Sequence, residues 1–159
     1  MDQRAATPSL TSETILEFAS PLDFHRVCDT EHPNVLARYQ MMRGRRPPDN
    51  PLPEGIRVDI RKHTRHVLAP DSKAVEHYLA APNEEAWQRF KADYLALIEQ
   101  RFGEAPAFFF KLAAQARAAD VYLGCSCPTA KNPDVRRCHT TLALAFMREH
   151  FADLEVRMP

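Results

Sequence analysis

The second half of the chain alternates between helical and extended patterns, and this alternation is the strongest constraint on its fold. Between Asn83 and Gly103, apolar residues recur every three or four positions, which predicts an amphipathic helix that Asn83 caps. A second helix pattern begins at Pro106, and the short apolar run VYLGC follows it. An apolar run between a helix and a turn is typical of a buried parallel strand. A further helix, TTLALAFMREHF, and an alternating strand, LEVRM, complete the chain.

The order of these elements predicts the fold class. Helix, strand, helix and strand in succession imply a three-layer, Rossmann-like α/β domain with a mostly parallel sheet covered by helices. In the first half, the patterns predict strands at 22–28 and 55–60, a helix at 33–42, and a helix that Asp71 caps. The proline-rich segment 45–55 predicts an extended surface connection. The second helix of the alternating half is expected to bury Phe108, Phe109, Leu112, Ala113 and Ala116.

Length and charge limit the domain organisation and the function. A chain of 159 residues makes one domain, and we assign 1–20 to an N-terminal arm and 21–159 to a single α/β domain. The 21 basic and 21 acidic residues cancel, which argues against a general nucleic-acid binder. No apolar run reaches the length of about 18 residues that spans a membrane, and the first residues lack a secretory signal pattern. We therefore expect a cytoplasmic protein whose cysteines stay reduced.

Three of the four cysteines stand in one short stretch, GCSCPTAKNPDVRRCHTT, which begins at the end of the predicted strand VYLGC. Ligands of parallel α/β sheets sit beyond the carboxyl ends of the strands, so the stretch begins where such a fold places its chemistry. Cys125 and Cys127 alternate along an extended segment and can point the same way. Cys138 and His139 follow after a loop that is long enough to fold back. We expect these four side chains to converge.

Thiolate and imidazole groups are the ligands that select zinc or iron. The leading hypothesis is therefore a metal-binding protein, expected to be an enzyme, that holds a zinc or iron ion with some of these side chains. Adjacent residues on a helix diverge by about a quarter turn, so a site of three ligands with one open position fits the spacing best, and such sites are catalytic. His139 could instead serve as a general acid or base. The candidate ligands are Cys125, Cys127, Cys138 and His139.

Two other interpretations of the cysteines stay open. A cysteine near a helix N-terminus with cationic neighbours has a lowered pKa and becomes a nucleophile. Cys125 or Cys138 would then be the reactive thiol of a metal-free redox protein, with another cysteine resolving a disulfide. Free cysteines also occur as small buried apolar side chains without chemistry. This is the expected role of Cys28, which stands apart from the other three.

Basic residues supply candidates for binding an anion. Arg26, Arg57 and Arg137 are candidates for positioning a small anionic substrate. The segment RKHTRH is either an anion-binding wall or a solvated basic surface. A third functional hypothesis is a nucleic-acid or protein binding module that uses the basic surface Arg38–His66. Aromatic residues are not interleaved with these basic residues, which makes nucleic acid the less favoured partner, and no membrane partner is expected.

Four stretches resemble the YeaO-like family of uncharacterised bacterial proteins, also called domain of unknown function 488. FHRVCD and IRVDI are similar to the first two strands of the family, WQRFKADYLALI to its central helix, and VYLGCSC with CHTTLAL to its last strand, loop and helix. His139 corresponds to the histidine that heads this helix. The chain has IRKHTRHVLAP where the family commonly has an Arg-Leu-Trp-Pro-Arg-Gly type of segment, so the resemblance is to a cysteine-bearing branch. The resemblance spans roughly Leu22 to Phe151, and it implies an α/β fold but no particular reaction.

Overall fold

The computed structural model describes residues 33–159, and the following account concerns these residues. The predicted arm 1–20 and the predicted strand 22–28 lie outside them, and so do Arg26 and Cys28. The described elements are β1 (Val35–Gln40), β2 (Ile56–Asp59), α1 (Ser72–Ala80), α2 (Glu84–Glu104), α3 (Pro106–Ala118), β3 (Val121–Cys125), a 3-10 helix (Val135–Arg137), α4 (His139–His150) and β4 (Glu155–Val156).

The strands form one open sheet in the order β2-β3-β1-β4, and every pair is parallel. Strand β3 lies between β2 and β1, with Val121 opposite both Ile56 and Leu36. The predicted α/β fold with a parallel sheet is confirmed. The terminal strand is shorter than the predicted LEVRM, because only Glu155 and Val156 pair with β1.

The predicted helix at 33–42 is wrong, because Val35–Gln40 is the strand β1. A spacing of three between Leu36 and Tyr39 fits a helix, but the first three residues of the strand are all buried. Such a continuous apolar run is typical of a central parallel strand. Two neighbouring strands satisfy the backbone hydrogen bonds of β1, and a short window of sequence cannot show that these partners exist.

The helices pack on the face of the sheet where Leu36, Val121 and Leu123 point, and together they form one apolar core. The helix α2 supplies an aromatic ladder, in which the ring centroids of Phe90 and Tyr94 are 6.1 Å apart. The predicted caps are confirmed by the side chains of Asp71 and Asn83, which accept hydrogen bonds from backbone amides of the first helical turns. The buried apolar residues that the helices contribute to this core are Tyr78, Trp87, Phe90, Tyr94, Ile98, Phe109, Leu112, Ala113, Ala116, Leu142, Ala143, Leu144, Phe146 and Met147.

One predicted core residue of α3 is exposed. Phe108 has 61% of its surface accessible, whereas Phe109 is fully buried. Residues 109, 112, 113 and 116 follow the spacing of one helix face, and Phe108 lies about 100° away from the first of them. Since the buried stripe of α3 is narrow, the helix cannot bury both phenylalanines.

The proline-rich segment 45–55 borders the other face of the sheet. Arg46 Nη1 donates a hydrogen bond of 2.6 Å to the carbonyl oxygen of Gln40 in β1. Pro53 lines a crevice together with Tyr122, which strand alternation turns away from the helices. This segment joins β1 to β2 and crosses β3 on the way. No helix in the described part of the chain is long and apolar enough to cross a membrane.

The tight approach of Gly55 to Asp120 predicts a large cost for a side chain at this position. Gly55 has φ of 127°, and a Cβ atom there would lie 2.6 Å from the backbone oxygen of Asp120. Gly44 also has positive φ, 81°, but a Cβ atom there would meet nothing within 4 Å. We expect Gly55→Ala to lower the free energy of unfolding by about 3 kcal/mol and Gly44→Ala by about 1 kcal/mol. Urea denaturation of both variants tests this, and equal losses would contradict it.

Candidate metal centre

The cysteine stretch begins at the carboxyl end of β3, at the centre of the sheet. Cys125 is the last residue of β3, and its carbonyl oxygen accepts a hydrogen bond of 2.8 Å from the amide of Met41, just after β1. The amide of Ile60, just after β2, donates to the carbonyl oxygen of Gly124. The loops that follow three parallel strands therefore meet at this edge. This is the location that the strand order of such sheets predicts for a ligand site.

The three cysteines of the stretch converge as expected. Their sulfur atoms all lie within 4.8 Å of one another, and the Sγ atoms of Cys125 and Cys138 are 3.4 Å apart. All three are free thiols, of which Cys125 and Cys138 are buried and Cys127 is half-buried. The described residues thus contain a group of three cysteines that could hold a metal ion.

His139, the fourth expected member, lies beside two of the three sulfurs but is not within 4.8 Å of all of them. It comes this close because Cys138 does not belong to the helix. Cys138 is the N-cap of α4, with φ of −128° and ψ of 141°, and His139 is the first helical residue. The expected quarter-turn divergence applies to two helical neighbours, so it does not arise here. His139 Nδ1 lies 3.8 Å from the sulfur of Cys138 and 3.9 Å from that of Cys125.

A backbone hydrogen bond fixes the orientation of the imidazole. His139 Nε2 lies 2.9 Å from the carbonyl oxygen of Ile60, which can only accept, so Nε2 carries the proton. Nδ1 therefore faces the sulfurs, where it offers a lone pair when the ring is neutral and a proton to the Cys125 thiolate when the ring is charged. Histidines that bind metals are held in this way by a hydrogen bond from their second nitrogen. The ring also meets Tyr94 edge-on, with ring centroids 5.9 Å apart.

The sulfurs share hydrogen bonds, and this lowers the pKa of one thiol and raises the pKa of the others. Hydrogen bonds from Cys127 and then Cys138 lower the pKa of Cys125, together with His139, against the opposing effect of burial. The hydrogen bond to Cys125 is the main cause that raises the pKa of Cys138 far above its usual value, and it also raises the pKa of Cys127. The hydrogen bonds therefore favour the thiolate form at Cys125 over the other two, and two adjacent negative charges would repel each other.

Three of the separations are close to those of a tetrahedral metal site. Zinc lies about 2.3 Å from sulfur and about 2.0–2.1 Å from nitrogen, so neighbouring ligand atoms are about 3.5–3.8 Å apart. The sulfurs of Cys125 and Cys138 are slightly closer than this, and Nδ1 of His139 is slightly farther from both. Nδ1 is not within 4.8 Å of the Cys127 sulfur, so the three cysteines are the better-placed ligands. A cation would also remove the repulsion that opposes deprotonation of the second and third thiol.

Two polar residues that the sequence analysis missed support the loop. Asn132 is buried, and its Nδ2 donates to the carbonyl oxygen of Arg137 at 2.7 Å and to the sulfur of Cys127 at 3.4 Å. The hydroxyl of Tyr78 in α1 donates to Asn132 Oδ1 at 3.2 Å. One signal was present in the sequence, since Asn132 is a polar residue between a lysine and a proline inside the cysteine stretch. Its partner Tyr78 lies 54 positions away, and no local pattern connects the two.

A cavity of about 300 Å³ opens above the cluster. The three cysteines and His139 border it, and so do basic residues that follow β1 and β2 and apolar residues of α1 and α2. Its basic lining residues are Arg43, Arg61, Lys62, His63 and Arg137, and its apolar ones include Pro70, Val75, Tyr78, Leu79 and Phe90.

The structure brings one of the three predicted anion-binding arginines to this cavity. Arg137 lines it and forms an ion pair with Glu84. Arg57 is not among the lining residues, and its Nη1 donates to the carbonyl oxygen of Pro53 at 3.0 Å. Arg26 lies outside the described residues. The segment RKHTRH does contribute a basic wall, through its first three residues.

These features define an α/β protein with a cysteine and histidine cluster at the carboxyl edge of a parallel sheet. The chain belongs to the DUF488 family, because the family model DUF488-N3a, described as the active DUF488-N3 subclade, matches residues 30–151. The resemblance to the YeaO-like family is thereby confirmed. Comparison with curated proteins and with solved structures gives no match.

The position of Asn132 predicts a stability cost when its side chain is removed. Asn132→Ala would leave the hydroxyl of Tyr78 and the carbonyl oxygen of Arg137 without their partner inside the protein, which costs about 2–4 kcal/mol. Asn50→Ala is the matched control, because Asn50 is exposed and, within residues 33–159, its side chain bonds only Arg46. We expect the control to lose less than about 1 kcal/mol. Urea denaturation measures both, and a small loss at Asn132 would show that the network carries no stability.

Proposed function

We propose that this protein is a cytoplasmic, metal-dependent enzyme in which Cys125, Cys127 and Cys138 hold a zinc or iron ion. The observation that carries the proposal is the convergence of the three sulfurs within 4.8 Å, with Nδ1 of His139 at 3.8 and 3.9 Å from two of them. Packing alone does not account for this arrangement. Apolar side chains would fill the same space without the free-energy cost of burying three ionisable thiols side by side. Thiolate ligands select zinc, iron and related soft or borderline ions.

Three cysteine ligands would leave a tetrahedral ion one further position for a substrate, and both the cysteines and His139 line the cavity. An open position is the mark of a catalytic site, and a zinc ion bound there would act as a Lewis acid on a substrate oxygen. His139 Nδ1 would accept and return a proton, since the hydrogen bond to Ile60 keeps its lone pair directed toward the cluster. The description of the matching subclade as active is consistent with catalysis.

The first test is the metal content of protein purified without oxygen and without a metal-affinity step. We expect about one equivalent of zinc or iron per chain by plasma mass spectrometry, with the cluster thiols protected from a thiol reagent until a chelator is added. Cys127→Ser should lose most of the metal, because Cys127 is the ligand nearest solvent and its replacement removes one sulfur. Cys28→Ser is the control for the same change in the fourth cysteine, and it should keep the metal.

His139→Ala separates the role of the histidine from that of the cysteines. If His139 moves protons and does not bind the ion, the variant keeps its metal, and the absorption spectrum of the cobalt-substituted protein keeps its sulfur-to-metal bands. Loss of the metal from this variant would show instead that His139 is a ligand. Metal-free protein with freely reacting thiols would contradict the proposal as a whole.

A second candidate, a metal-free thiol enzyme, is favoured by one specific contact. The sulfurs of Cys125 and Cys138 are 3.4 Å apart, and the pKa of Cys125 is lowered by its hydrogen bonds to Cys127 and Cys138. With a disulfide substrate, the Cys125 thiolate would attack one sulfur, break the S–S bond and release the other sulfur as a thiolate; the thiol of Cys138 would then form the Cys125–Cys138 disulfide and release the first sulfur with its own proton. With a peroxide, attack would break the O–O bond, release an alcohol or water and leave the sulfenic acid of Cys125, which Cys138 would convert to the disulfide with release of water.

This candidate predicts fast and selective oxidation. One equivalent of hydrogen peroxide added to reduced, metal-free protein should form a Cys125–Cys138 disulfide, which peptide mass spectrometry would locate. Cys138→Ser should stop at the sulfenic acid of Cys125. Slow oxidation without a preferred pair would remove this candidate. The third hypothesis, a binding module that uses the basic surface Arg38–His66, stays a prediction that no contact of the described residues favours.

A further inference from the structure

The cavity above the cysteine cluster has two unlike walls. One wall comes from the loops after β1 and β2, and it carries Arg43, Lys62 and His63. The other wall comes from α1 and α2, and it is apolar. Val75 and Leu79 face the cavity from successive turns of α1. A ligand that fills this space must therefore satisfy a charged surface and an apolar surface together.

Carboxylates outside the cavity lining neutralise most of the positive charge in the lining. Nε and Nη2 of Arg61 donate hydrogen bonds to the carboxylate of Asp59, which neutralises most of the charge of the guanidinium. Lys62 pairs with Glu76 at 2.6 Å, and Arg137 pairs with Glu84. None of these three carboxylates is among the residues that line the cavity. The lining thus presents cationic donors to a ligand, although its excess of charge is small.

Arg43 supplies that excess. Among the described residues it has no ion-pair partner, and it is exposed at the rim of the cavity. His63, at the same rim, adds charge only when it is protonated. A divalent ion held by three thiolates would leave one net negative charge in the floor, which repels an anion there. The one unpaired guanidinium at the rim therefore matches a single negative charge placed beside it, whereas a doubly charged phosphate would exceed it.

Because one wall of the cavity is apolar, the ligand must have an apolar part, its body, as well as a charge. Val75 and Leu79 are only partly buried, and both pack against the core with their other side. Phe90 and Tyr78 also line the cavity and stack on each other with ring centroids 5.5 Å apart, so the wall offers aromatic as well as aliphatic surface. The volume of about 300 Å³ is at the small end of ligand pockets. An aromatic ring or a short branched alkyl group fits such a wall.

We propose that the cavity binds a small carboxylic acid with an aromatic or branched aliphatic body. The carboxylate meets Arg43 and the neighbouring cationic donors, the body lies against Val75 and Leu79, and the ligand covers the three thiols. This inference rests on the proposed function, because it takes the cavity as the substrate pocket of the metal site. It adds the substrate class, which the cluster alone does not specify.

The test uses phenylacetate as the probe, with calorimetry on metal-replete and on metal-free protein. Acetate keeps the charge without the body, benzyl alcohol keeps the ring without the charge, and phenyl phosphate carries a second negative charge. We expect phenylacetate to bind at least about tenfold more tightly than acetate and more tightly than the other two probes. Tighter binding of phenyl phosphate, equal binding of benzyl alcohol, or no binding of any probe would overturn the inference.

Two variants locate the bound probe. Arg43→Gln should weaken phenylacetate binding about threefold to fivefold, while Arg45→Gln, a nearby exposed arginine outside the cavity lining, should not change it. Leu79→Ala should weaken the binding of phenylacetate but not that of acetate, and a thermal melt checks that this variant is folded. Equal effects of the two arginine variants would overturn the inference.

Metal analysis of the same samples keeps the two proposals distinguishable. Phenylacetate binding with the expected variant effects in protein that never holds metal would support the carboxylate pocket and sink the metal site. Stoichiometric metal without phenylacetate binding would support the metal site and sink the carboxylate pocket.

Discussion

The parallel pairing of β3 with β2 on one side and β1 on the other is the constraint on which the rest of the structure depends. Parallel strands end at the same edge of a sheet, so this pairing brings the loops after residues 40, 59 and 125 together. Cys125 is the last residue of the central strand, and its position is therefore as rigid as the sheet. The ring of His139 is anchored to the loop after β2 through Ile60. A different strand order would separate the thiols from the basic residues of the cavity.

The three thiols of the cluster are close enough for their negative charges to repel each other when they ionise, and a bound cation would remove this repulsion. Three sulfurs within 4.8 Å can share one negative charge through hydrogen bonds, but each further deprotonation must overcome repulsion in a buried site. In the same loop, Asn132 bonds the carbonyl oxygen of Arg137 and the hydroxyl of Tyr78. The repulsion that a cation would relieve therefore lies at the thiols and not at these polar groups. Arg61, Lys62 and Arg137 each form an ion pair with a carboxylate. These pairs hold the three cationic side chains at the cavity lining and neutralise most of their charge.

Local patterns predicted the elements whose determinants are close in the chain. The caps at Asp71 and Asn83 were predicted because a capping side chain bonds an amide three residues away. The strand β3 was predicted because it is short, apolar and flanked by a helix and a turn. The segment 33–42 was mistaken for a helix, since its partners on both sides lie about 80 or more residues away in sequence. The exposure of Phe108 was missed, since only the packing of α3 shows how wide its buried stripe is.

The same division applies to the site. The sequence by itself limited the role of the cysteines to metal binding, thiol reactivity or packing, because three thiols and an imidazole follow an apolar strand. It also determined the edge of the sheet at which they stand. Only the tertiary structure decided that Cys138 precedes its helix in an extended conformation, that His139 points Nδ1 at the sulfurs, and that Arg137 is paired with Glu84, 53 positions away. These features depend on distances between segments that are remote in the chain, and such distances exist only once the core has packed.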